Sequence, residues 1–316
     1  MDKFHIKKIS EIKKEKLHQF YQDSFKYEKS ILDDYNWRYR SGFNEYEPLV
    51  LIINNQVCGH AGLIPINLRI NNKTEKAIWF TDFYINSEYR SKGYGKILTE
   101  QWMKICPIQI TLCNNKSLRV FKKLNWSSNN TFTRRIKFYN YLNIIPVFRN
   151  LNNSTYIINK TEDLKLEDLN SKTLKKIVDL NERSQSEKFI DLVRDEIWFK
   201  WRILDCPYKK DIHIFNVKNN FIITHIQKKK KLRILNIIYS SAPVNTDISK
   251  IFLNFAKKNN IDYLSYISTE KKLLDFFLPW QRKINFAFYT KEKSTQHLIN
   301  NSLNDIQFID SDIDYV

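Results

Sequence analysis

Apolar positions along the chain recur in two rhythms that alternate. Leu17, Phe20, Tyr21 and Phe25 fall at helical spacing and predict a helix over residues 10–25. Leu49–Ile53 is a short apolar run, followed by the turn Asn54-Asn55 and a second run, Val57–Ile66, which together predict two strands. Ala77–Asn86 reads as an aromatic strand, Tyr94–Ile105 as a helix closed by Cys106-Pro107, Ile108–Cys113 as a strand, Lys116–Leu124 as a helix and Phe132–Tyr141 as a strand. Beyond these, residues 171–182 and 195–204 read as helical, and Asp211–Val217, Phe221–Gln227 and Leu232–Tyr239 as strands. Ile248–Lys258 predicts a helix, Ile261–Ile267 a strand, Lys271–Phe277 a helix and Ile284–Tyr289 a strand, with an acidic, loose tail after Asn304.

The order repeats. Trp37-Arg38 and Trp201-Arg202 stand 164 positions apart, and at that offset Asn55 falls on Asn219 and Val57 on Phe221. Each half then shows a Trp-Arg pair, a strand, an asparagine turn and another strand, in register. A period of this length indicates duplicated domains rather than a solenoid. The boundary is placed in the polar stretch Arg149–Ser154, giving domains over 1–149 and 150–316.

Composition narrows the class. The 316 residues are 42% hydrophobic and 14% aromatic, enough for packed cores and against general disorder. The net charge of +18 is compatible with a nucleic-acid or membrane-surface binder, with an enzyme for polyanionic ligands, or with a plain lysine-rich surface. The densest run, Lys228–Lys231, lies between two predicted strands and reads as a solvated hairpin turn. Cys58, Cys106, Cys113 and Cys206 show no CxxC spacing and are too few for a disulfide framework, and no metal site is expected. Met1–Lys16 is charged and no apolar run approaches the roughly 18 residues of a membrane span. The expectation is a cytoplasmic protein with no membrane insertion.

Chemistry concentrates where glycine does. The chain has five glycines, and two of them stand in Arg90-Ser91-Lys92-Gly93-Tyr94-Gly95, between a predicted strand and a predicted helix. Glycines let the backbone turn sharply, so that successive N–H groups converge on an anion at a helix N-terminus. Neither GxGxxG nor the P-loop pattern is present. Asp82 is a carboxylate in an apolar, aromatic strand and therefore needs a partner or a task. His60 lies between Gly59 and Gly62, which indicates close approach of another group, and its ordinary pKa suits it to take a proton.

The segment Trp79–Leu98 resembles the acetyl-CoA motif of the GNAT acyltransferase superfamily. The later run Asn114-x-x-Ser117-x-x-Val120-Phe121-Lys122-Lys123-Leu124-Asn125-Trp126 is similar to that family's second conserved helix. The resemblance covers residues 10–140 by motif and 165–290 by element order. It implies an α/β (α+β) fold of two tandem GNAT-like domains, each a mixed, mostly antiparallel sheet flanked by helices. It further implies an acyl-CoA co-substrate, acetyl-CoA or a short hydroxyacyl-CoA, with Arg90, Ser91, Lys92, Gly93, Tyr94, Gly95 and Lys96 around the pyrophosphate. Tyr84, Ile85, Asn114, Ser117 and Phe121 would line the pantetheine arm, and the N–H near Phe83 would face the thioester oxygen. Asp82 and His60 are both candidates for the base. The family's usual tyrosine falls on Phe121, which cannot protonate a departing thiolate.

The second domain has no glycine and cannot build the same nest, so it would close the acceptor site, bind the acceptor or mediate formation of a homodimer. Trp37, Arg38, Trp201 and Arg202 are the candidate acceptor contacts. Paired domains with a Trp-Arg element in each resemble acyltransferases acting on nucleotide-linked, notably dTDP-linked, amino-deoxy sugars in bacterial surface polysaccharide (O-antigen, lipopolysaccharide, capsule) synthesis. The alternatives are a Fem-type aminoacyl-tRNA-dependent transferase, an acetyltransferase of peptides, polyamines or antibiotics, and a basic nucleic-acid-binding module. The Arg90–Gly95 motif speaks against the first, the basic balance against the second, and the lack of a nucleic-acid motif against the third.

Overall fold

A computed structural model describes residues 3–24, 34–43, 45–139, 164–185, 189–229, 232–242, 246–268, 281–303 and 305–310. The chain forms two compact units. The first comprises Met1–Asn129, Phe189–Val193 and Phe286–Ser302; the second comprises Asn130–Lys188, Arg194–Asn285 and Leu303–Val316. Both are α/β, as the sequence predicts, but each takes a segment from the far side of residue 149.

The first unit begins with β1 (Phe4–Lys8), α1 (Lys14–Ser24) and the single-turn α2 (Tyr35–Arg38). Next come β2 (Leu49–Ile53), β3 (Gln56–Ile70), β4 (Lys73–Ile85), α3 (Tyr94–Met103), β5 (Ile108–Cys113) and α4 (Asn115–Lys123). Strands β1 to β4 pair in sequence order, each antiparallel to the next. β3 and β4 form one long hairpin closed at Asn71-Asn72, both residues at positive φ, as a two-residue hairpin turn requires. The sequence pattern breaks this hairpin early because its far half carries polar outward positions, Asn67, Arg69 and Lys73–Lys76. Helix α3 buries Tyr94, Leu98 and Trp102, spaced four apart, and the Trp102 ring stacks on Phe80 of β4 at 3.9 Å. Trp126, Phe121, Leu63 and Ile78 complete that core.

β6 (Ser127–Phe138) carries the chain into the second unit, which holds β7 (Lys165–Glu167) and α5 (Ser171–Gln185). The short strand β8 (Ile190–Leu192) belongs to the first unit and pairs with Leu68–Ile70 of β3. The second unit continues with α6 (Glu196–Phe199), β9 (Ile212–Val217), β10 (Asn220–Lys229), β11 (Leu232–Ser240), α7 (Thr246–Lys258) and β12 (Tyr263–Ser268). Its ladder runs β7-β9-β10-β11-β12-β6, with only β11 and β12 parallel. The last strand, β13 (Gln281–Thr290), gives residues 286–290 to the first unit, followed there by α8 (Lys293–Ser302). Ala287 and Tyr289 pack into the first core.

Lys218-Asn219 between β9 and β10 repeats the positive φ pair of Asn54-Asn55 at the 164-residue offset. The predicted helix Lys271–Phe277 and residues Lys230 and Lys231 lie outside the described residues. The tail is not loose over 305–310. Ile306, Phe308 and Ile309 are buried, and Asp310 makes a two-pronged ion pair with Arg194 at 2.6 and 2.7 Å.

Candidate active site

The β3–β4 ladder is regular from Ile70↔Lys73 to Gly62↔Thr81 and resumes at His60↔Tyr84. Asp82 and Phe83 therefore stand opposite Ala61 alone. This is a β-bulge, which redirects the groups it carries. Asp82 sits at φ +46°, in the left-handed region, a conformation that costs of order 1–3 kcal/mol for a residue with a side chain.

Three contacts meet at Asp82. Its Oδ2 accepts from Arg38 Nη1 at 3.0 Å and from the Tyr39 hydroxyl at 2.8 Å, with the Arg38 and Asp82 side chains 9% and 2% exposed. Its backbone carbonyl lies 2.8 Å from His60 Nδ1. A carbonyl can only accept, so Nδ1 carries the proton and Nε2 the lone pair of the neutral ring. His60 is wholly buried between the rings of Tyr21 and Tyr39. Burial pushes its pKa down to about 4, against the opposing hydrogen bond and charge of Asp82. Burial, reinforced by the Asp82 charge, raises the Tyr39 hydroxyl well above its ordinary value, so it remains a donor.

The glycines beside His60 serve this packing. A Cβ on Gly62 would lie 2.8 Å from the Tyr39 ring and 2.9 Å from the Thr81 carbonyl, and one on Gly59 would lie 2.6 Å from Ile85 Cδ1. The close approach inferred from sequence is that of Tyr39 and Ile85.

On its other edge β4 pairs with β5 in parallel through Ile78–Gln109 and Trp79–Ile110. Thr111 Oγ1 then donates to the Phe80 carbonyl at 2.7 Å, and no further β4–β5 ladder pair follows among the described residues. The pairing stops where the bulge begins, so the edge of β4 over Thr81–Ile85 is not covered by β5. An extended ligand can add along such an edge through main-chain hydrogen bonds.

Past Ile85 the chain makes one tight turn, Ser87–Tyr89, tied down by Asn86 N–H to the Cys58 carbonyl at 2.8 Å. Arg90 Nε donates to the Ile85 carbonyl at 2.7 Å, and its guanidinium lies 5.0 Å over the Tyr84 ring. Ser91 and Gly93 both have positive φ, at +61° and +87°, and Gly93 caps α3 with no side-chain hydrogen bond. Alternating backbone hands at an uncapped helix start turn successive N–H groups toward one point, the geometry that holds an anion. Arg90, Ser91, Lys92, Gly93 and Lys96 are exposed around it. A Cβ on Gly93 would meet nothing within 4 Å, so glycine is needed there for its φ. Gly95 stands against Phe83 and Ile85, at ordinary contact distance for an added Cβ. Tyr94 is core, edge-on to Phe4 and Tyr89.

The structure thus brings Asp82, His60, Phe83 and Arg38 together, and runs Tyr84 and Ile85 directly into the turn that carries residues 90–96. Asn114 follows β5 and caps α4, its Oδ1 accepting from the amides of Lys116 and Ser117. Phe121 is buried against Phe80 and Trp126 and is a core side chain. Trp37 is half-buried on α2. Trp201 and Arg202 belong to the second unit, with the Arg202 guanidinium 5.1 Å over the Trp201 ring. Sequence reasoning missed Tyr39 and Thr111, since neither stands in a motif.

Residues 14–126, which contain the bulge, the strand fork and the nest, match the acetyltransferase (GNAT) family. No curated protein matches the chain. Among solved structures the chain is similar to Saccharomyces cerevisiae N-myristoyltransferase with bound myristoyl-CoA, at 13% identity and TM-score 0.60, covering 92% of this chain and 82% of that one. It is similar to a GCN5-related N-acetyltransferase from Kribbella flavida, at 11% identity and TM-score 0.62, covering 91% and 71%. It is also similar to a probable N-acyltransferase from Enterococcus faecalis V583, at 12% identity and TM-score 0.55, covering 91% and 72%. The family match is confined to residues 14–126 of the first unit, and the solved structures share the fold with this chain.

Proposed function

We propose that the protein is an acyl-CoA-dependent N-acyltransferase whose acceptor is the amino group of a nucleotide-linked amino-deoxy sugar, with dTDP as the first carrier to test. The observation that carries the donor assignment is the succession along one strand and its helix of the end of the β4–β5 ladder, the bulge and the glycine nest. An acyl-CoA has a thioester, an extended amide-bearing arm and a pyrophosphate in that order. The amides over 90–96 hold the pyrophosphate with Arg90, Lys92 and Lys96 beside it. Tyr84 and Ile85 offer main chain to the pantetheine amides, and Asn114 and Ser117 border the arm from the β5 side.

The donor supplies a carbonyl activated as a thioester. In this reading the N–H of Phe83, which lies in the bulge, donates to the carbonyl oxygen as negative charge develops there. The acceptor nitrogen bonds to the carbonyl carbon, the C–S bond breaks, and sulfur leaves as the thiolate. No acid is offered at Phe121, and a thiol of ordinary pKa near 8.5 leaves without one. The proton shed by the amine passes to water, while wholly buried His60 stays neutral and frames Asp82. Burial pushes the nearby Cys113 thiol up to about 12, so it is no nucleophile at neutral pH and attack is direct. Trp37 is the acceptor contact of the first unit in this reading, and the net charge of +18 suits a nucleoside diphosphate. The same cytoplasmic setting and surface-polysaccharide role follow from that acceptor.

The likeness to an N-myristoyltransferase favours a second reading of the donor alone, a longer acyl chain. The test is release of CoA thiol from acetyl-, hydroxybutyryl- and myristoyl-CoA with dTDP- and UDP-linked amino sugars, alongside thermal stability with each component. Stabilisation by CoA and turnover with one nucleotide sugar are expected. Stabilisation by CoA with turnover only on peptides or polyamines would replace the acceptor, and no response to any acyl-CoA would end the proposal.

A further inference from the structure

We propose that Arg38 and Tyr39 are positioning residues for acyl transfer: by clamping the Asp82 carboxylate they hold the β4 bulge in the left-handed conformation that directs the Phe83 amide. The inference rests on the reading that this amide faces the thioester oxygen.

Other non-glycine residues with positive φ among those described lie in turns, after helices or in the nest, and Asp82 alone lies within a strand. Something must hold it there, and both donors converge on one oxygen, Oδ2, in the unit's interior. The clamp is itself anchored. Arg40, next along the chain, donates to the Pro65 carbonyl at 2.8 Å and stacks 3.4 Å over Phe43, fixing the α2 segment to β3. The Tyr39 ring occupies the space over Gly62 where a Cβ would stand, which brings its hydroxyl to Asp82. His60 completes the frame by donating to the Asp82 carbonyl from the neighbouring strand.

The second unit supplies a comparison within the same chain. β10 and β11 shift register between Ile223↔Tyr239 and Thr224↔Ile237, leaving Ile238 as the extra residue, at nearly the same place in the repeat. Ile238 is buried, apolar and not at positive φ. Where the glycine nest is missing, the left-handed carboxylate is missing too. A bulge can therefore form in this fold without the clamp, and the clamp tracks the donor site.

The experiment compares wild type, Asp82→Asn, Arg38→Gln and Tyr39→Phe. The last removes one hydroxyl and leaves the ring over Gly62, so it folds even if the buried-charge variants do not. Three readouts are taken: the acetyl-CoA Kd by calorimetry, kcat for CoA thiol release with hydroxylamine as a small amine acceptor, and the Phe83 amide resonance in protein labelled with ¹⁵N-phenylalanine. Expected is a fall in kcat of about tenfold in Tyr39→Phe and more in Asp82→Asn, by the size of a weakened oxyanion donor. Kd should stay within about threefold, and the Phe83 resonance should be displaced in the free variants. Unchanged kcat in folded Tyr39→Phe and Asp82→Asn, with Phe83 unmoved, overturns the clamp. A wild type that fails to bind acetyl-CoA sinks the donor reading instead, and the Phe83 resonance still decides whether the clamp sets the bulge.

Discussion

His60 shows what a local sequence pattern carries and what it leaves out. The flanking glycines signal close approach, but what approaches is the chain's own Tyr39 and Ile85 rather than a ligand. Asp82 is conspicuous as a carboxylate among aromatics, and Arg38 as half of a repeated pair. Their ion pair was not legible, because no periodicity links positions 44 apart. Burial of neutral His60 also ties stability to pH. Its pKa falls from an ordinary 6.5 to about 4 on folding, so between those values the unfolded chain binds more protons. Stability should be full above pH 6.5 and lost as pH falls toward 4, by about 3 kcal/mol from this residue. His213, lowered to about 4 by burial, contributes in the same window. Denaturant melts of wild type and His60→Asn at pH 7 and 4.5 check this; the variant should lose markedly less stability over that interval. An equal loss in both proteins would remove His60 from the account.

At the level of elements, strong periodicity was readable and short or polar segments were not. Helix α3 follows from Tyr94, Leu98 and Trp102, and the β2–β3 turn from Asn54-Asn55. Strands β1, β7 and β8 are three to five residues long and take their definition from partners elsewhere in the chain, which a local pattern does not carry. Asn114, a cofactor contact by the family resemblance, also has a local task in the structure as the α4 cap. Asn114→Ala should cost about 1 kcal/mol and Asn114→Ser should restore most of it, measured by chemical denaturation. Trp102→Ala, which deletes the ring stacked on Phe80, should cost about 3–5 kcal/mol by the same measurement.

At the scale of the whole molecule, the recurrence of a positive-φ turn at a fixed offset was legible, and the exchange of segments was not. Nothing in the local composition of 189–193 or 286–302 says that they serve the first unit rather than the second. The absence of glycine after residue 95 does predict unequal halves. In the second unit Gln307 pairs through its carboxamide with both the N–H and the carbonyl of Ser240, the last residue of β11, so that strand end is already occupied by the chain. One acyl-CoA per chain is therefore expected. The most direct measurement is calorimetric titration of acetyl-CoA into wild type and Gly93→Val, whose side chain is incompatible with φ +87°. The account predicts one site per chain in wild type and at least tenfold weaker binding in a variant that keeps its circular dichroism spectrum. Two sites, or equal affinity in the two proteins, would contradict it.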